Sequence, residues 1–323
     1  MQRLRLAGAG LVLAIAFVAG IVFAGPAGAT FPGDNGQIAL ASNGDPFGTN
    51  PEHDFEIFRM NRDGSGLTQL TFNAATDFAP DWSPDGRKIT FRSRRDAGNR
   101  EIYVMNADGS QQTRLTVNPA TDDAPSWSAD GTKIYFHSTR TGNLEVFVMK
   151  ADESEAVGGA VVNLSNNPAA DGRPVESPDG RTIAFVSERD GPSAIYTMRV
   201  DGSDVRRLTP GTVAWAANPN WSPDGRMIAF VNNFCGPCPA SDIFVMKRNG
   251  TAIRQLTASF GNNLYPFWSP EGDKIAFTHW VDLDAVNADI YLMDTAGDGR
   301  TNITNSPTVD DEYPAWGRAP ANN

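Results

Sequence analysis

The chain of 323 residues holds two cysteines and three histidines, so thiol, imidazole and soft-metal chemistry have few places to reside. Both cysteines, Cys235 and Cys238, sit in the phrase Phe-Cys-Gly-Pro-Cys-Pro. Cys-x-x-Cys is the spacing of dithiol redox sites, where a helix N-terminus stabilises the attacking thiolate. No helical pattern follows here; Pro239 and the strand-like Ile243-Phe244-Val245-Met246 put the pair in a loop. The pair therefore reads as a local disulfide. A redox role lacks its helix, and a metal site lacks a second Cys or His pair. Asp294 to Asn302 carries acids at a spacing suited to calcium, but Ala296 stands where a third ligand is needed. A serine hydrolase needs a Gly-x-Ser-x-Gly elbow, and the sequence contains none.

The segments that would position such groups begin after an N-terminal stretch of different character. Arg3 and Arg5 precede an uncharged apolar run from Leu6 to Ala24, and Ala27-Gly28-Ala29 supplies the small residues that a signal peptidase reads. A signal peptide over 1–29, cleaved before Thr30, is predicted, with a retained anchor as the alternative because the run approaches spanning length. Export puts the cysteines in an oxidising compartment, secreted or periplasmic. The formal charge is -11 and the pI about 4.7; without the leader, 25 basic residues face 38 acidic ones, or -13. A field of that sign excludes a nucleic-acid partner.

Beyond the leader the sequence repeats itself. Pro80-Asp81-Trp82-Ser83-Pro84-Asp85-Gly86 returns around Trp127, Glu176 (in place of Trp), Trp221, Trp268 and Trp316, at intervals of 45 to 49 residues. An Ile-x-Phe run follows each of the first five, at Ile89, Ile134, Ile183, Ile228 and Ile275, and Ile38-Ala39-Leu40 is a sixth. A strand-like phrase ending in Met occurs six times, at Met60, Met105, Met149, Met198, Met246 and Met293. A Leu-Thr phrase or a near variant closes each unit. Ser-Pro-Asp-Gly and Asp-Gly are turn signals, so each unit is four short strands. The 294–302 segment then becomes the hairpin of its unit, because Met293 to Ile303 has the spacing of Met60 to Leu70. Four strands per 47 or so residues is the mark of a propeller blade. The predicted fold is all-β: six blades of four antiparallel strands in residues 30–323. The C-terminal strand at Trp316 closes the ring by pairing with the first blade.

The Trp-Ser-Pro-Asp-Gly, Ile-Ala-Phe, Ile-Tyr-x-Met, Asp-Gly-Ser and Leu-Thr series resembles the TolB-type (WD40-like, PD40) propeller repeat. The resemblance covers nearly the whole chain after the leader, without the extra N-terminal domain of TolB proteins. It implies a propeller and leaves function open, since prolyl-oligopeptidase relatives and some polysaccharide lyases use similar repeats. Lyases resembling the oligogalacturonate type hold a metal with a histidine cluster. Here His53 and His279 fall in blades 1 and 6, but His137 falls in blade 3, across the ring.

Departures from the repeat mark the candidate binding residues. Asp77, Asp122, Asp171 and Asp311 stand three residues before their Pro, and Arg94, Arg140 and Arg189 follow the Ile-x-Phe strands. These predict a ring of ion pairs between adjacent blades at the channel mouth, or alternatively an acidic mouth for a cation or basic peptide end. Blades 5 and 6 carry Ala216 and Asn263 in place of the aspartate. Blades 5, 6 and 1 also have longer loops, which carry Trp215, Phe234, Trp280, Phe47 and Tyr265. Aromatics freed from the ion-pair pattern suggest an interaction patch. The resulting expectation is a monomeric, exported, non-catalytic propeller that binds a protein or peptide, with no cofactor and no metal. The alternative is a carbohydrate-active propeller.

Overall fold

The structure is a computed structural model and describes residues 28, 30–96, 98–213, 215–233, 241–258, 261–280 and 287–320. Residues 1–27 and 29 of the predicted signal peptide lie outside the described residues, as do Phe234, Cys235 and Cys238. Blade 1 contains β1 (Asn35–Ser42), β2 (Glu56–Met60) and β3 (Thr68–Gln69). Blade 2 contains β4 (Asp77–Trp82), β5 (Lys88–Ser93), β6 (Glu101–Asn106) and β7 (Thr113–Arg114). Blade 3 contains β8 (Asp122–Trp127), β9 (Lys133–Ser138), β10 (Glu145–Lys150) and β11 (Val161–Asn163). Blade 4 contains β12 (Asp171–Glu176), β13 (Thr182–Ser187), β14 (Ala194–Arg199) and β15 (Arg206–Arg207). Blade 5 contains β16 (Ala216–Trp221), β17 (Met227–Asn232), β18 (Asp242–Lys247) and β19 (Arg254–Gln255). Blade 6 contains β20 (Asn262–Trp268), β21 (Lys274–Trp280), β22 (Ala288–Asp294) and β23 (Thr301–Asn302). The last strand, β24 (Asp311–Arg318), joins blade 1 in the order β24-β1-β2-β3, all antiparallel. The architecture is the one that the repeat spacing predicts. Closure is seen in the register: Trp316 faces Ile38 and Asp311 faces Ser42.

Each repeated residue has a bonding reason. In the Ser-Pro-Asp-Gly turn, Ser83 donates to Asp85 at 2.6 Å and accepts the Lys88 N–H at 2.9 Å, and Ser128, Ser177 and Ser222 do the same. The glycine of the Asp-Gly hairpin serves the neighbouring blade. A Cβ on Gly202 would lie 2.4 Å from the Leu164 carbonyl oxygen, and one on Gly297 would lie 2.5 Å from that of Leu256. Both glycines also have positive φ, where a side chain is strained. Gly297 therefore fills the hairpin slot of blade 6. Asp294 accepts the Ala296 and Asp298 amides at 2.9 and 2.8 Å, which ties its carboxylate into the turn.

Between blades the core is aromatic. Trp127 and Trp221 are buried between inner strands, and Phe91, Phe136, Phe185, Phe230 and Phe277 each pack on a ring of the third strand of their blade. Full burial of such side chains contributes several kcal/mol apiece. The inner strands β24, β4, β8, β12, β16 and β20 contact one another in cyclic order and surround the central channel. They begin on one face, called here the loop face. The Ser-Pro-Asp-Gly and Asp-Gly turns lie on the opposite turn face.

Candidate functional site: loop face and channel

At the loop-face rim, the Asp122 carboxylate lies 2.8 Å from Arg140, and Asp171 lies 2.8 Å from Arg189. Each pair sits within one blade, because the arginine follows the second strand and folds back over its own inner strand. The expected bridges between adjacent blades are therefore not what these residues make. In blade 2 the partner of Asp77 is Arg95. Arg94, the arginine expected there, is exposed and bonds through its backbone amide to Thr76. Register decides between them: Ser93 faces Asp77 as Ser138 faces Asp122, and the pairing arginine stands two residues past that serine. The guanidinium groups also stack on the blade's aromatics, Arg140 at 5.2 Å from Phe147 and Arg189 at 5.3 Å from Tyr196. Burial nevertheless pushes Asp122 up to about 6, with Arg140 pulling the other way.

A second layer of polar residues was not singled out by its sequence pattern. Thr71, Thr116, Ser165, Thr209, Thr257 and Thr304 accept the first amide of the Ile-x-x-Met strand or its equivalent in every blade, at 2.8 to 3.0 Å. An acid precedes that amide in five blades, as Glu56, Glu101, Glu145, Asp242 and Asp289. Glu101 shows its use: it accepts from Thr116 at 2.6 Å, from Arg114 at 2.6 Å and from the Asn118 amide at 3.2 Å. These acids fasten the outer strand and the crossing to the next blade. The Leu-Thr phrase and the acid before Ile were the available signal.

Blades 5, 6 and 1 hold different groups at the rim. Asn263 bonds to His279 at 2.9 Å, Ala216 faces Asn232, and Asp311 faces Ser42. Gly44 of blade 1 occupies the place of the pairing arginine, and burial pushes Asp311 up to about 6. Of the aromatics expected on an exposed arc, Phe47 is 54% exposed in the β1–β2 connection. Trp215 and Trp280 are half-buried at the loop-face ends of β16 and β21. Tyr265 departs from the group: it is buried in the channel against Tyr313. The histidines do not converge either. His137 is buried in blade 3, His279 bonds within blade 6, and the His53 ring lies 3.4 Å from the Asn43 carbonyl. Among the described residues no group of three His, Cys, Asp or Glu is placed to hold a metal ion.

The channel interior is shaped by a bulge that recurs in all six inner strands. Ala79, Ala124, Arg173, Asn218, Tyr265 and Tyr313 each stand three residues before the anchor position, each with φ between 53° and 64°. Register shifts accompany them in every blade. Left-handed backbone in a non-glycine residue costs about 1–2 kcal/mol, so the ring carries that strain six times. Around this layer Asp123, fully buried, lies 3.1 Å from Arg92 and 2.7 Å from Arg100, both from the preceding blade. These are true bridges between blades. Arg173 bonds to the side chain of Asn218, and its backbone amide donates to His137 Nδ1 at 3.3 Å. The Tyr313 hydroxyl donates to that of Tyr265 at 2.7 Å, the rings stacked at 3.8 Å. Burial pushes Glu312 up to about 8, with Asp310 adding to the effect and Arg92 opposing it, and drives His137 down to about 4.

Toward the turn face the channel is filled. The hydroxyl of Thr30 bonds to Asn220 at 3.1 Å, Asn220 donates to the Gly28 carbonyl, and Phe31 is buried in the core. Asp81 and Asn220 also cap the inner edge of the next blade, accepting the Trp127 and Trp268 amides at 2.9 and 2.8 Å. Open strand edges are satisfied inside the channel by these side chains.

Sequence comparison finds the TolB beta propeller domain (PD40) over residues 94–161 and 154–237. No curated protein sequence matches the chain. Among solved structures, TolB from Acinetobacter baumannii is 23% identical with a TM-score of 0.73, covering 90% of this chain and 68% of that one. A putative TolB from Agrobacterium tumefaciens is 20% identical with a TM-score of 0.66, covering 88% and 100%. An oligogalacturonate lyase in complex with manganese is 14% identical with a TM-score of 0.51, covering 84% and 74%. At these identities the neighbours speak for the fold. With the PD40 match and six complete blades, the chain is a TolB-like six-bladed β-propeller.

Proposed function

We propose that the chain is an exported, non-catalytic propeller that binds a protein or peptide at its loop face. The observation that carries this reading is the uneven rim. Blades 2 to 4 lock their loop-face ends with ion pairs, while the contiguous blades 5, 6 and 1 leave that lock out and carry Phe47, Trp215 and Trp280. The TolB-like fold supports an interaction module. The leader at 1–29 and the pair Cys235 and Cys238, read as a disulfide, support export. Affinity capture from the native envelope tests the reading. Phe47→Ala and Trp280→Ala should reduce capture of a specific partner, and capture unchanged in the double variant would sink it. An oligogalacturonate turnover assay on the same preparation should show no product, and turnover would favour a lyase.

A further inference from the structure

The charged groups of the channel run against the rest of the molecule. The chain carries a formal charge of -11, yet three guanidinium groups, Arg92, Arg100 and Arg173, converge on the bulge layer. Among the described residues the acids set against these guanidinium groups are Asp123 and Glu312. Asp123 is shared by Arg92 and Arg100, which leaves a single carboxylate between two cations. Glu312 is held largely protonated at neutral pH by its burial, and His137 is neutral for the same reason. The layer is thus net cationic inside an acidic protein, and low-dielectric walls strengthen such a local field.

Arg92 is also short of acceptors. The residue is 6% exposed, and its Nε, although 3.1 Å from Asp123, has no aligned hydrogen-bond acceptor among the described residues. Its Nη1 is shielded from solvent and has no acceptor among the described residues. One face of the guanidinium is 4.8 Å from the Phe78 ring centre, which fixes the plane of the fork. A buried guanidinium with unmet donors is costly, and a carboxylate meets two of them at once.

We infer that the loop-face end of the channel is a receptor for a carboxylate on a slim chain, an acidic residue or C-terminus of a bound peptide, with Arg92 as its principal contact. Arg173 and Arg100 flank it. The site rests on the loop-face binding reading and gives that surface a chemical preference. The aromatic residues of the channel favour a peptide over a sugar acid. Tyr265 and Tyr313 are stacked on each other and buried, so neither offers a free aromatic face to a pyranose ring. Thr30 and Phe31 stop the turn-face end, so the ligand enters from the loop face.

The test is fluorescence anisotropy with a labelled tetraglutamate peptide, an amidated tetraglutamine control and trigalacturonate as competitor. Tetraglutamate should bind saturably and tetraglutamine should not. Arg92→Gln should weaken binding by about tenfold or more, and Arg92→Lys, which keeps the charge without the fork, should also weaken it. The exposed turn-face Arg62→Gln should leave it unchanged. Thermal melts of each variant show that the fold persists, and Arg92→Lys decides the matter if Arg92→Gln does not fold. Absence of tetraglutamate binding at millimolar concentration, or unweakened binding in both Arg92 variants, would overturn the inference. Displacement by trigalacturonate would also overturn it, by assigning the site to a sugar acid. Partner capture through Phe47 and Trp280 that survives either result leaves the loop-face reading standing and removes only the carboxylate site.

Discussion

Blades 2, 3 and 4 close their loop-face ends with an aspartate, an arginine and aromatic rings, while blades 5, 6 and 1 place Ala216, Asn263 and Asp311 at the same strand position. The inner strands have the same form in both halves, down to the left-handed residue in each. What differs is the side-chain chemistry on top of it. The fold is secured by features shared by both halves: the Thr or Ser hydroxyl on the third-strand amide of every blade, the aromatic core and, in five blades, the glycine that meets the neighbouring blade. The rim lock is an addition to three of them, and the half without it is free to hold other groups.

The largest expected effect belongs to a feature common to both halves. Trp221→Ala, at a site with no exposure, should cost about 3–5 kcal/mol in urea unfolding, whereas Phe47→Ala on the open rim should stay within about 0.5 kcal/mol. Similar losses would mean that Phe47 serves the core rather than a binding surface. Next comes the lock itself. Asp171→Ala leaves Arg189 without its partner and should cost about 3 kcal/mol, the low end for a buried pair because Arg189 keeps 17% of its side chain in solvent. Asn263→Ala at the equivalent place in blade 6 should cost about 1.5 kcal/mol, as it removes hydrogen bonds to His279 and to the Asp242 carboxylate without leaving a buried guanidinium unpaired. Equal costs would erase the distinction between the halves.

A smaller contrast tests the third-strand cap. Thr116→Val strands the Ile102 amide and also removes a donor to Glu101, so a loss of about 2 kcal/mol is expected. Thr209→Val should cost less, because Ala194 stands where blade 2 has Glu101. Denaturant midpoints of the two variants, with unchanged slopes, measure the difference.

The pH dependence follows from the buried acids. Asp122 and Asp311 are raised to about 6 and Glu312 to about 8, all chiefly by burial, from ordinary values of 3.8 and 4.5. The folded state therefore keeps protons that the unfolded chain has released, and the stability this contributes is lost as pH rises through those values. Stability should decline from about pH 5 to about pH 8, and Glu312→Gln should flatten the upper part of that decline. At the acid end the turn aspartates, such as Asp108 and Asp201, are lowered by their Ser110 and Ser203 hydrogen bonds. Their contribution disappears as pH falls below the ordinary carboxylate range, which places the optimum on the mildly acidic side. A flat profile between pH 5 and pH 8 would mean that water reaches these acids.

The blades and their closure were legible because turn residues and anchors recur at fixed spacing, and each turn is a local matter of Ser, Pro, Asp and Gly. The rim was only half legible. Ser93-Arg94-Arg95 offers two arginines, and the choice between them depends on which residue faces Asp77, a register that spacing alone missed by one. The channel was hidden for a different reason. Ala79, Ala124, Arg173, Asn218, Tyr265 and Tyr313 share no chemistry, since the bulge that aims them is imposed by ring packing rather than by their own preferences. Tyr265 was therefore placed on the outer arc, and Arg92 and Asp123 drew no notice until the ring brought them together.

Amide hydrogen exchange, with and without saturating tetraglutamate, bears most directly on the central claim that the loop-face end of the channel is the binding site. Slower exchange is expected in the inner strands Asp122–Trp127 and Asp311–Arg318 and in the loop-face connections of blades 6 and 1, with no change in the turns at Asp108-Gly109 and Asp201-Gly202. Protection confined to those turn-face hairpins, with the inner strands unchanged, would contradict it.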